Sequence, residues 1–149
     1  MNIRSKLRTA ARILMGAPLL VFSLNGLLHF MPLPPMSPAA GAFMGALAAT
    51  GYMFPLIKLV EVVSALLLLS GRYVPLALTL FAPVLVNIVA FHATYAPAGL
   101  ALPLLFVAIE IYLAWTYRSS FTPLFRAKSE SSATRASRIS ADLAHPSAA

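Results

Sequence analysis

The chain has 149 residues, 60% of them hydrophobic and only 10% charged, with a formal net charge of +7 and no cysteine. A soluble domain carries about 25% charged residues; here the apolar residues come in long blocks, which points to an integral membrane protein with one bundle and no separate soluble domain. The missing cysteines exclude disulfides, thiol redox chemistry and cysteine-ligated iron–sulfur clusters within the chain.

Residues 1–12 form a short basic segment with Arg4, Lys6, Arg8 and Arg12. The first apolar block, 13–30, carries Asn25 and His29, four apart and therefore on one helix face. A basic start before an apolar run also describes a signal peptide. Three comparable blocks follow, however, and the run ends in Asn25 and His29 rather than a small-residue cleavage site, so it is read as a span. The connection 31–51 opens MPLPPMSP, which cannot be helical because each proline lacks a donor and disfavours helix in the residue before it. Residues 39–49 then predict a short, uncharged helix that lies on the membrane surface or dips back into it.

The second span, 52–69, has Pro55 in its first turn, where the missing donor matters least, and holds Lys58 and Glu61. A charge in hydrocarbon costs about 2.5–3.5 kcal/mol on insertion scales. Three apart, the two share a face and can offset each other. Gly71-Arg72 makes a tight turn. The third span, 74–91, contains Pro83, where a kink is expected, then Asn87, with His92 at its end. The fourth, 100–117, places Glu110 in mid-membrane and closes on Trp115, Tyr117 and Arg118, an aromatic belt followed by a cation. Residues 126–149 are rich in Ser, Ala and Arg and read as a disordered cytoplasmic tail in which His145 has no role.

Four spans put the N-terminus, the 71–72 turn and the tail on one side. Every lysine and arginine outside the spans falls there, including Arg126, Lys128, Arg135 and Arg138, which makes that side the cytoplasm. This placement assigns the positive charge to topology and anionic headgroups rather than to nucleic acid. The fold class is therefore all-α: an antiparallel four-helix transmembrane bundle, residues 1–125, with a short extra helix between spans one and two.

Each span contributes a polar group, mostly in its outer half: Asn25, His29, Lys58, Glu61, Asn87, His92 and Glu110. Together they predict a polar pocket opening outward, with the inner half sealed by leucine and alanine. Intramembrane ionisable groups mark ligand or proton sites, but a satisfied network that only fixes helix register explains Lys58 and Glu61 equally well. The asparagines fit interhelical hydrogen bonding. Two histidines without further ligands make no metal or haem site. No nucleotide loop, hydrolase elbow or zincin spacing is present. GAFMG, 41–45, fits a small-residue packing motif.

The run GYMFPLIKLVEVVSALLLLSGRYVPLALTLFAPVLVNIVAFH resembles the DoxX family of small four-helix membrane proteins, as do the opening RILMG…FSLNGLLHFMPLPP and the closing APAGLALPLL…IEIYLAWTYRSSF. The resemblance covers about residues 12–125, and its most specific pieces are KLVE, PVLVNIVAFH and YLAWTYR. The family takes its name from a subunit associated with a thiosulfate:quinone oxidoreductase, and many members carry an oxidoreductase label without an established reaction. The resemblance implies an accessory or anchor subunit of a membrane redox system in a bacterial cytoplasmic (inner) membrane. It further implies quinone as candidate cofactor and a membrane or periplasmic redox partner. Asn25, Lys58, Glu61, Asn87, His92 and Glu110 match the family's polar positions, with no catalytic role to carry over. A permeation protein and a purely structural, partner-binding protein remain as rivals, and a homo-oligomer is left open.

Overall fold

The computed structural model describes residues 2–32 and 35–125, together with Ser137 and Ser140. Among these residues the chain is helical, with no strand. The helices are α1 (Ile3–Leu28), α2 (Pro38–Ala49), α3 (Met53–Ser70), α4 (Val74–Tyr95), α5 (Ala101–Thr116) and α6 (Arg118–Phe121). Short 3₁₀ turns occupy Pro97–Gly99 and Thr122–Phe125. The tail predicted over 126–149, with Arg126, Lys128, Arg135, Arg138 and His145, lies outside the described residues except at Ser137 and Ser140. The chain divides into two units, Met1–Arg118 and Ser119–Ala149, and the packing below is that of the first.

The helices α2, α3 and α5 start and stop within a residue or two of the sequence reading; two others differ instructively. α1 begins at Ile3 rather than near residue 13. Arg, Lys, Leu and Ala are strong helix formers, and nothing in residues 3–15 breaks a helix, so the basic segment is its first turns rather than a separate arm. α4 runs on to Tyr95, past the predicted end at 91, because the first breaker after His92 is Pro97. It is continuous through Pro83, as α1 is through Pro18.

Each end has a local cause. α1 stops where His29 turns left-handed (φ 54°) and donates its N–H to the Asn25 carbonyl at 2.8 Å. At α2, Ser37 caps through its side chain, which accepts from the Ala40 N–H at 3.2 Å, and Pro38 takes the first helical position. The Thr50 hydroxyl accepts from the Met53 N–H at 3.0 Å and covers the start of α3. Gly71, at φ 70°, ends α3 in the left-handed cap that glycine adopts without steric cost.

α1 packs along α3, α3 on α4, α4 on α5, and α5 returns to α1. The α1–α3 seam is antiparallel, since Gly16 meets Leu69 and Ala65, Ser23 meets Glu61, and Gly26 meets Lys58. A Cβ on Gly16 would stand 3.0 Å from Leu69 Cγ, so glycine sets the approach there. Facing stripes form the core: Met15 and Leu19 on α1, Ala65 and Leu68 on α3, Ala77, Leu78, Phe81 and Leu85 on α4, and Phe106, Ile109 and Leu113 on α5. Phe81 and Phe106 meet edge to face, with centroids 6.4 Å apart. At the other end, Phe43 of α2 rests against Phe91 and Tyr95 of α4 at 5.5 and 5.4 Å.

The outward surface is apolar too. Val86 is 68% exposed and Ile111 63%, with Leu14, Leu59, Leu66 and Leu104 similarly placed on other helices. A water-facing monomer does not carry apolar surface on this scale. By length and composition, α1, α3 and α4 can each cross a membrane. α5, at 16 residues, rises about 24 Å, short of a hydrocarbon core of about 30 Å.

Candidate functional site

The polar centre of the molecule lies on the α1–α3 seam. Gly26 has no side chain, and the Lys58 stem fills the space: a Cβ there would stand 2.8 Å from Lys58 Cε and 2.9 Å from Cδ. Lying along that groove, Lys58 brings Nζ to 2.8 Å from Glu61 Oε2, one turn further along α3. Its Nζ also stands 5.5 Å from the centre of the Phe54 ring, within cation–π range. Glu61 is 3% exposed and Lys58 18%. The anion is thus buried, while the cation keeps an opening to the surface.

The carboxylate has a partner on α1. Ser23 Oγ lies 2.9 Å from Glu61 Oε2 and 2.5 Å from the Leu19 carbonyl one turn back. A hydroxyl carries one proton, so Ser23 donates to one acceptor at a time. A carboxylate also holding a lysine is the stronger acceptor, and Ser23 is then the hydrogen bond joining α1 to the ion pair. Composition alone did not single out Ser23; its signal was a small hydroxyl residue two positions from Asn25, of the kind that bridges membrane helices.

Among the described residues, no other predicted pocket residue forms a hydrogen bond with this cluster. Asn25 is buried and turned to its own chain. Its Oδ1 accepts from the Met31 N–H at 2.6 Å, and its Nδ2 donates to the Met31 carbonyl at 3.2 Å, so both ends of the amide are spent on closing the turn after α1. His29 sits exposed at the left-handed cap. Asn87 is exposed on α4 and donates to the Pro83 carbonyl at 2.9 Å. The His92 Nδ1 lies 2.8 Å from the Ile88 carbonyl, which can only accept, so this nitrogen donates, and Nε2 faces Gly99.

Three buried polar atoms have no hydrogen-bond partner among the described residues: Arg12 Nε on α1, Ser64 Oγ on α3 and Glu110 Oε2 on α5. Ser64 stands one turn beyond Glu61 on the same buried stripe. Glu110 borders the core stripe Phe106–Ile109–Leu113. Counting along each helix at about 1.5 Å per residue, Glu61 lies about 12 Å from the start of α3 and Glu110 about 13 Å from the start of α5. Among the described residues no group of three or more His, Asp or Glu could hold a metal ion.

In chemical terms, the seam holds a fixed cation–anion pair with a hydroxyl donor. It can hold register, and it can present one partly open ammonium to a polar ligand. The chain matches no protein-family model, no curated protein and no solved structure. Its helices give the class: a helical protein with three long apolar helices, compatible with an integral membrane protein.

Proposed function

We propose that the chain is an antiparallel four-span membrane bundle of the DoxX type, formed by α1, α3, α4 and α5. It resides in a bacterial cytoplasmic membrane with both termini inside, and it serves as an accessory or anchor subunit of a membrane redox system near the quinone pool. The observation that carries the four-span reading is the apolar outward surface around a polar seam whose anion is sheltered by α1. α5 fits as a short span, because a helix below the core thickness is accommodated by local thinning and by interfacial residues at its ends, here Trp115, Tyr117 and Arg118 at its carboxyl end. The redox assignment is supported by the resemblance of residues 12–125 to that family. Purification with native lipid, followed by quinone analysis and identification of co-purifying proteins, tests it. A quinone or a redox enzyme retained by the protein is the expected result; neither would remove the assignment.

A second reading has its own observation. Asn25, Asn87, His92, Lys58 and Glu61 each have an acceptor or donor within the chain. Polar groups spent in this way lock a bundle together without a ligand. On that reading Lys58→Met combined with Glu61→Leu keeps function in cells while altering stability.

A further inference from the structure

The end of the bundle where α1 begins is built differently from the rest. α1 is 26 residues long and rises about 39 Å, more than the hydrocarbon core of about 30 Å. Its first turns, the six residues from Ile3 to Arg8, therefore stand in the headgroup layer and carry Arg4, Lys6 and Arg8, with Arg12 one turn further along at the inner edge of that layer. The antiparallel seam brings Arg12 to the turn that closes α3, where its guanidinium lies against Gly71 so closely that any Cβ there would collide with it. Arg72, the next residue, is exposed. Exposed aromatics mark this end as interfacial: Tyr73 beside Arg72, and Trp115 at the end of α5, with the Arg118 guanidinium 5.3 Å from its ring centre.

Arg12 lacks what a guanidinium at this depth requires. Its Nε is buried with no hydrogen-bond partner among the described residues. The two described carboxylates are elsewhere: Glu61 is already paired with Lys58, and Glu110 stands in mid-helix on α5. The carboxyl end of α3 favours a cation beside it, but it supplies no counter-charge. The two terminal nitrogens of the guanidinium lie against Gly71, whose neighbour in the chain is Arg72, and a planar pair of donors of this kind matches a phosphate oxygen pair.

We propose that Arg12 and Arg72 form a seat for the phosphate of an anionic phospholipid. A zwitterionic lipid carries the same phosphate, but its ammonium would meet Arg8 and Arg72, so the seat selects lipids with net negative charge. The inference rests on the membrane-spanning reading above.

The test is thermal unfolding of the full-length protein in mild detergent, titrated with phosphatidylglycerol or phosphatidylcholine. Phosphatidylglycerol is expected to raise the midpoint and phosphatidylcholine to leave it. Arg12→Gln should weaken the apparent affinity for phosphatidylglycerol about tenfold, the equivalent of about 1.4 kcal/mol. Arg12→Lys, which keeps the charge but loses the fork, should recover part of it. Arg4→Gln removes the same charge from an exposed site. At about 1 M salt, where the screening length is about 3 Å, its effect should vanish while that of Arg12→Gln persists. Equal stabilisation by the two lipids, or equal effects of Arg4→Gln and Arg12→Gln at high salt, would overturn the proposal. Reconstitution into phosphatidylglycerol–phosphatidylcholine vesicles separates the two readings: a chain that never enters vesicles defeats the membrane-spanning one, whereas one that enters but ignores lipid charge defeats only the seat.

Discussion

Removing one member of the Lys58–Glu61 pair should cost far more than removing both, and the two single losses should be unequal. Breaking a buried ion pair from one side costs about 3–5 kcal/mol, because the surviving charge stays buried without its partner. Here the survivors differ. Lys58→Met strands Glu61, which is 3% exposed and retains only Ser23. Glu61→Leu strands Lys58, which is 18% exposed and can extend its ammonium along the Gly26 groove toward the surface. Discounted for that opening, Lys58→Met is expected to cost about 3 kcal/mol and Glu61→Leu about 1–2 kcal/mol. The double variant should fall within about 1 kcal/mol of the native chain, because an apolar pair of similar volume replaces an ion pair at little net cost. Denaturant unfolding in detergent micelles, followed by helical signal, gives all four free energies and the coupling between the two sites. Additive single effects, or a costlier Glu61→Leu, would refute the picture of a sheltered anion and a vented cation.

Three further outcomes follow from the geometry. Asn25→Ala removes both bonds to Met31 and leaves the turn after α1 with an unpaired buried N–H; the expected loss is about 1–3 kcal/mol, read in the same unfolding assay, and no loss would mean that the turn is held by other contacts. Gly16→Val drives its branches into Leu69 and the Ala65 carbonyl; overpacking of this kind costs about 1–3 kcal/mol and should lower the unfolding midpoint, whereas Gly45→Ala, with open space around it, should not. Because the chain has no cysteine, single cysteines can report sidedness: in sealed spheroplasts a membrane-impermeant maleimide should reach Gly45→Cys and spare Ser5→Cys, and labelling of both or the reverse would overturn the four-span topology.

Much of the architecture was legible in the sequence because hydropathy blocks and prolines are one-dimensional signals. Pro38, Pro55, Pro75 and Gly71 punctuate the chain where helices start and stop, so α2, α3 and α5 came out nearly to the residue. The errors came where an apolar criterion stood in for a helical one. Residues 3–12 are polar but excellent helix formers, and α1 includes them; residues 92–95 add little hydropathy, yet nothing in them stops α4. The site was less legible. The Lys58–Glu61 contact follows from spacing alone, but a count of polar residues per span cannot tell a side chain facing a neighbouring helix from one folded back on its own. Asn25, Asn87 and His92 share a depth range, yet each bonds within its own helix or the turn that follows it. Ser23 and Ser64, the hydroxyls beside the carboxylate's stripe, were passed over because serine is too common in apolar helices to stand out.

The ion pair belongs wholly to α3, both charges being on one helix, so it cannot itself staple that helix to α1. α3 and α4 are tied by the tight turn 71–73 and must travel together. Among the described residues the one hydrogen bond across the α1–α3 seam is a serine proton with a second acceptor at hand; close packing at Gly16 and along the Gly26 groove supplies the rest of the contact. The seam is therefore held by packing with a polar bond that can move: when α1 shifts against α3, Ser23 can leave the carboxylate for the Leu19 carbonyl while Lys58 and Glu61 stay clasped on α3.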